Sequence, residues 1–269
     1  MHGGKPHYRK SNRDCLRWHW LWSRWRDLGR RTARGKLLRI ERAGYLAPMP
    51  MPGSEAAIRN PWRMAMGALY GTMGEKIIEL FPSIDPENKS AIVELLKTNT
   101  SCPKTTGMGR LFDALSSLLD VCIYRSYEGE PAILLEAIAD ETESGTYPVP
   151  LEFDALSGAP VINGPQLLLS ALNDLNRLVP VSSIAARFHN TLANATALAA
   201  LAIGQKWKIT DVCLTGGCFQ NALLLERTIL AIKKQGLTPY VHRLVPPNDE
   251  SISYGQTVIA GMRREKRFS

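Results

Sequence analysis

One pattern occurs twice in the last sixty residues, and it restricts the fold more than any other feature of the chain. Asp211-Val212-Cys213-Leu214-Thr215 is a short apolar run that reads as a buried strand, and Gly216-Gly217 turns it into a helix over Phe219 to Lys234. Tyr240 to Leu244 reads as a second strand, Val245-Pro246-Pro247-Asn248-Asp249-Glu250 as a loop, and Ser251 to Arg264 as a closing helix. Strand, loop and helix in succession, twice over, is α/β architecture with loops gathered at the carboxyl ends of the strands. In open α/β sheets, ligands sit there.

The preceding region is mostly helical. A Pro-rich connector (Pro48, Pro50, Pro52, Gly53) cannot be a helix interior or a central strand. Asn60-Pro61 then places a cap before proline at the first helical position, and Trp62, Met66, Leu69 and Tyr70 share a face. Further helices are predicted at 87–98, 107–120, 131–140, 164–177 and 181–204, with Met108, Leu111, Phe112, Leu115, Leu118 and Leu119 giving the cleanest 3.6-residue period. Tyr147 to Phe153 and Ala159 to Asn163 flank Leu156-Ser157-Gly158 as a hairpin.

The net charge of +8 is not spread evenly. Residues 1–43 hold 13 Lys and Arg against Asp14, Asp27 and Glu41, a balance of +10, so residues 44–269 carry −2. Trp18, Trp20, Trp22 and Trp25 crowd into the same segment, which has neither helical nor strand periodicity. The predicted organisation is therefore an irregular basic segment over 1–43 and a regular lobe over 44–269, helical from 60 to 205 and α/β from 209 to 266. With 45% hydrophobic and 22% charged residues the chain is ordinary globular material. There is no run of eighteen apolar residues and no apolar stretch near the N-terminus, so a cytoplasmic location with no membrane partner is expected. Five cysteines without a Cys-x-x-Cys pair argue against a disulfide framework and a zinc knuckle, and free thiols are expected.

Three segments carry candidate chemistry. In Thr215-Gly216-Gly217-Cys218-Phe219-Gln220-Asn221 the paired glycines let the backbone approach a ligand, and the helix start offers N–H groups to an anion, with Asn221 in reach of a ribose or base. The plainer reading is a tight strand-to-helix turn. Pro246-Pro247-Asn248-Asp249 is a stiffened loop that puts a carboxylate at a strand end, suited to a divalent ion; the competing role is a helix N-cap. In Gly107-Met108-Gly109-Arg110-Leu111-Phe112-Asp113, the carboxylate of Asp113 lies near Arg110, and an Asp on an amphipathic helix is usually only solvated.

Together these segments resemble the carbamoyltransferases of nickel-iron hydrogenase maturation, the HypF family. The matching stretches are Met51 to Ala65, Gly109-Arg110-Leu111-Phe112-Asp113-Ala114, Tyr127-Glu128-Gly129, Ala186 to Ala193, the Gly216 to Asn221 loop, and Val245 to Asp249 with Gly255-Gln256. The resemblance covers about residues 40–265, the C-terminal part of the family's last domain. That domain is similar to the tRNA threonylcarbamoyl transferase proteins, so it implies the second lobe of an actin/Hsp70-like ATP-binding fold. It also implies that Asp113, Gly129 and Asn221 hold the nucleotide, that Gly216 and Gly217 line its phosphates, and that Asp249 ligates Mg2+ or another divalent ion. The implied activity is transfer of a carbamoyl group from carbamoyl-adenylate, made from carbamoyl phosphate and ATP, to the C-terminal cysteine of a HypE-type partner. No catalytic side chain is assigned. Arg187 and His189 fall in the family's Ala-Arg-Phe-His helix, where packing and orientation are expected rather than chemistry.

Two departures bear on this. The family's earlier domains and the first lobe of its last domain, with paired histidines that would complete the metal site, have no counterpart here, and one carboxylate is too few ligands for a stable site. A separately encoded N-terminal half is therefore an expected partner, and autonomous activity is not expected. The second departure is the basic segment, where the family would show Asp-Gly-Thr-Gly-Tyr-Gly. Tryptophan has the single codon TGG; read one base later, its GG begins a glycine codon. Trp18, Trp20, Trp22 and Trp25 then become glycines at the family's spacings, His19 can become Thr, and Leu21 can become Tyr. Residues 1 to about 36 are read as an out-of-frame translation. The alternatives are a tRNA-modifying enzyme of the same fold, a basic nucleic-acid-binding protein using its Trp and Arg side chains, and an inactive remnant.

Overall fold

The computed structural model describes residues 15–18 and 42–265. The expectations for the rest of the basic segment, including its reading frame, lie outside these residues. Of that segment Arg42 and Ala43 are described, and so is β1 (Cys15–Trp18), a short strand where irregular chain was expected, paired in parallel with residues 211–214.

From Gly44 the chain runs through two very short strands, β2 (Tyr45–Leu46) and β3 (Met49–Pro50), into α1 (Glu55–Arg59) and α2 (Pro61–Met73). A 3-10 segment, Gly74–Leu80, leads to α3 (Pro86–Thr98). Then come β4 (Lys104–Thr105), α4 (Met108–Leu118), α5 (Glu130–Ile138), β5 (Leu151–Phe153) and β6 (Pro160–Ile162). The chain continues with α6 (Gly164–Asn176), α7 (Val181–Trp207) and β7 (Asp211–Leu214). A 3-10 turn, Gly217–Gln220, precedes α8 (Ala222–Lys234), β8 (Thr238–Val241), a turn at Asp249–Ser251, and α9 (Ile252–Glu265).

Among the described residues there are three small sheets: parallel β1-β7-β8, mixed β2-β6-β5, and the antiparallel pair β3-β4. Each predicted helix is present within a few residues of its expected bounds. The second strand is displaced: expected over Tyr240 to Leu244, it runs over Thr238–Val241. Gly236, at φ 74, stops α8 abruptly, Leu237 plugs the core, and the Thr238 N–H bonds Thr210 O at 2.9 Å, so pairing with β7 begins at once. Leu244 is left 98% exposed.

The spine of the lobe is α7, whose alanines keep its surface flat enough for close packing on both sides. Its first half joins α2 and α4 in the main core, where Phe112 and Phe188 meet edge-on, ring centroids 5.2 Å apart. Its second half, with Ala197, Ala200 and Ile203, packs against Val212 and Leu214 of β7 and Ile232 of α8. Gly204 makes this approach possible, because a Cβ there would lie 2.5 Å from the Ile209 carbonyl oxygen. Cys102, Cys122 and Cys218 are free, as expected, whereas Cys213 is disulfide-bonded.

Candidate functional site

The two loops at the carboxyl ends of β7 and β8 meet. Gly216 leaves β7 at φ 112, ψ 152, a conformation that side chains rarely adopt, and its N–H donates to Pro247 O at 2.8 Å. Gly217 lies against Asn248, where an added Cβ would come within 4.0 Å of that residue's Cβ. The glycine turn and the Pro246-Pro247-Asn248-Asp249 loop thus form one surface. Asn248 performs the capping that was open between it and Asp249: its Oδ1 accepts the Glu250 N–H at 3.3 Å. Asp249, the next residue, is exposed. Among the described residues no group of three metal-capable side chains exists.

The start of α8 does not offer open N–H groups, contrary to expectation. The 3-10 turn separates it from the glycines. Its first donors are taken by protein: Glu136 Oε1, from α5, accepts from Ala222 N and Leu223 N at 2.6 and 3.2 Å, and Asn221 Oδ1 accepts from Leu224 N at 2.7 Å. A carboxylate at a helix N-terminus satisfies both its orphan donors and its dipole. An anion at this surface would meet the turn at Gly217, not the helix.

Asn221 is 7% exposed, and its Nδ2 donates to His189 Nε2 at 3.0 Å. His189 is fully buried on α7, and burial pushes its pKa down to about 4, helped by Arg227, so the ring is neutral. The expectation that this helix supplies packing and orientation holds for Arg187 too, which ties Glu143 to Asp174 through ion pairs of 2.9 Å each.

Asp113 departs from the solvated reading. It is 2% exposed, and its Oδ2 lies 3.0 Å from an Arg110 guanidinium nitrogen without accepting a well-directed hydrogen bond. Burial pushes its carboxyl up to about 6, against the pull of Arg110 and Arg125; the same burial lowers Arg110. Gly129, at φ 84, caps α5, which packs on α4 and carries Glu136 to the start of α8. The Phe112 ring, beside Asp113 in sequence, lies 5.3 Å from the His189 ring. The structure therefore runs a contact chain from Phe112, the residue before Asp113, through His189 to Asn221, and joins the Gly216-Gly217 turn to the Pro247-Asn248 loop that precedes Asp249. Glu136 was missed by sequence reasoning, because 86 residues separate it from the N–H groups it caps.

The α/β architecture and this pair of loops define a Kae1-like subdomain. Residues 34–256 match the family described as "Carbamoyltransferase, Kae1-like Domain, second subdomain", and the chain belongs to that HypF family of carbamoyltransferases. It is 32% identical over 257 residues to Carbamoyltransferase HypF2 of Cupriavidus necator, covering 85% of this chain and 31% of that protein. Carbamoyltransferase HypF of Synechocystis is 32% identical over 250 residues, covering 82% and 31%. Among solved structures, full-length HypF in its phosphate- and nucleotide-bound form aligns with a TM-score of 0.77 at 32% identity, over 84% of this chain and 29% of that one. The HypF of T. kodakarensis, at 24% identity and a TM-score of 0.74, shares the fold. The chain spans about a third of the length of these relatives.

Proposed function

We propose that this chain is the nucleotide-holding lobe of a carbamoyltransferase that moves a carbamoyl group from carbamoyl-adenylate to the C-terminal cysteine of a HypE-type maturation protein. The observation that carries the reading is the buried Asp113 carboxylate, whose Oδ2 accepts no hydrogen bond. The Arg110 ion pair at 3.0 Å offsets its charge but gives it no well-directed hydrogen bond, and a ribose hydroxyl would supply one. The Gly217 turn, backed by the Pro247 contact of Gly216, would then face the adenylate phosphate, and Asn221 would donate its remaining N–H. A divalent ion would offset phosphate charge, with Asp249 as one ligand.

In the transfer the partner's thiolate attacks the carbamoyl carbon, the C–O bond to the adenylate phosphate breaks, and AMP leaves with that bond's electron pair. The lobe holds and orients the donor. Forming the carbamoyl-adenylate is the work of a separate active site. The assay combines this chain, a separate carbamoyl-adenylate-forming polypeptide and the partner, with mass spectrometry of the partner's C-terminal cysteine. Carbamoylation that requires this chain is expected; carbamoylation that proceeds equally without it contradicts the reading.

A further inference from the structure

We propose that His189 is a positioning residue for Asn221, fixing its amide so that one N–H is left for the nucleotide; this rests on the nucleotide reading above. The hydrogen-bond directions impose it. His189 Nδ1 lies 2.7 Å from Ala185 O, a group that only accepts, so the ring proton is on Nδ1 and Nε2 carries a lone pair. That lone pair accepts from Asn221 Nδ2 at 3.0 Å, while Asn221 Oδ1 accepts from Leu224 N at 2.7 Å. A flipped amide would set oxygen against the Nε2 lone pair and NH2 against the Leu224 N–H, two repulsions in a buried place. Only one amide orientation survives, and it has one uncommitted N–H.

The ring itself cannot turn away. Phe112 and Phe188 hold it edge-on at centroid separations of 5.3 and 6.1 Å, and Phe112 belongs to the helix turn that carries Asp113. His189 thus fixes Asn221 while packing on the helix that carries Asp113, and in this role it does not itself touch the nucleotide. Burial keeps it neutral, as that role requires.

The test is Mg-ATP titration of the full chain and its His189→Leu and His189→Gln variants, with long-range proton–nitrogen NMR of the wild-type ring. The expected spectrum is the neutral tautomer protonated on Nδ1. His189→Leu, folded by circular dichroism, is expected to bind about tenfold more weakly or worse, the loss of one buried hydrogen bond. His189→Gln, whose Oε1 can stand where Nε2 stood, should regain most of that affinity, which restored packing alone would not explain. Equal affinity in His189→Leu, or a ring protonated on Nε2, overturns the inference while leaving the nucleotide reading intact. Absence of binding by the wild type overturns both.

Discussion

Gly216 and Gly109 illustrate how differently two glycines can matter. At φ 112 and ψ 152, Gly216 has a backbone available almost only to glycine, so Gly216→Ala is expected to cost about 1–3 kcal/mol in urea denaturation. Gly109 lies in α4 with nothing near an added Cβ, and Gly109→Ala is expected to add about 0.5–1 kcal/mol. Two buried ionisable side chains contribute to the acid response with opposite signs. His189 is pushed from 6.5 down to about 4, so the unfolded chain takes up the proton first; its contribution is full above pH 6.5 and fades as pH falls towards 4. Asp113 is pushed from 3.8 up to about 6, so the folded chain is protonated first; its contribution is full below 3.8 and is lost as pH rises through 6. Each is on the order of 3 kcal/mol, and the two largely offset between pH 4 and 6. In urea denaturation, Asp113→Asn should therefore lose stability on acidification from about pH 6.5 to 4.5 more steeply than wild type, and His189→Gln should gain it. Parallel pH profiles for all three proteins would contradict this assignment. His189 was legible in sequence as a packing residue and Asp113 as a candidate, but the burial of Asp113 was not: it sits one position from Phe112, and the packing of α4 against α2 and α5 decides that it turns inward.

At the scale of elements, the junction between α5 and α8 is the feature that local sequence could not reveal. Helix periodicity located both helices, but it began α8 at Phe219, whereas the structure makes Asn221 the cap, a role that the local signal of a short amide before an apolar run allows. The two N–H groups satisfied by Glu136 involve a contact across the fold, and no spacing rule reaches that far. Glu136→Ala removes the acceptor and is expected to cost about 1–2 kcal/mol, measured by urea denaturation. Asn221→Asp keeps the oxygen that caps Leu224 but replaces the NH2 by an oxygen facing the His189 Nε2 lone pair, so it should weaken nucleotide binding and raise the His189 pKa while leaving the helix capped. The displaced β8 has the same origin as the missed Glu136: the strand begins where β7 offers pairing and Gly236 ends the helix, not where the apolar letters are densest.

For the whole molecule, fold class and the family's motifs were legible in sequence because both are written in local patterns: two strand–loop–helix units and six ordered motifs. How the chain behaves in isolation depends on surface. Tyr240, Val241 and Leu244, together with Ile252, Tyr254 and Val258 of α9, are substantially exposed at the β8 and α9 end. Exposed apolar side chains in this number favour association, and light scattering should show a mass above that of the monomer that rises with concentration. The basic N-terminal segment makes a separate prediction: coding DNA read one base later should encode Asp-Gly-Thr-Gly-Tyr-Gly across residues 17–22, and any other shifted sequence discards the frame hypothesis. The central claim, that this lobe holds a nucleotide, is met most directly by isothermal titration of the full chain with Mg-ATP alongside Asp113→Asn and Asn221→Asp. Saturable binding that both substitutions weaken by about tenfold or more is the predicted result. A folded wild-type chain that releases no binding heat across a range of temperatures, or variants that bind as well as it does, would contradict it.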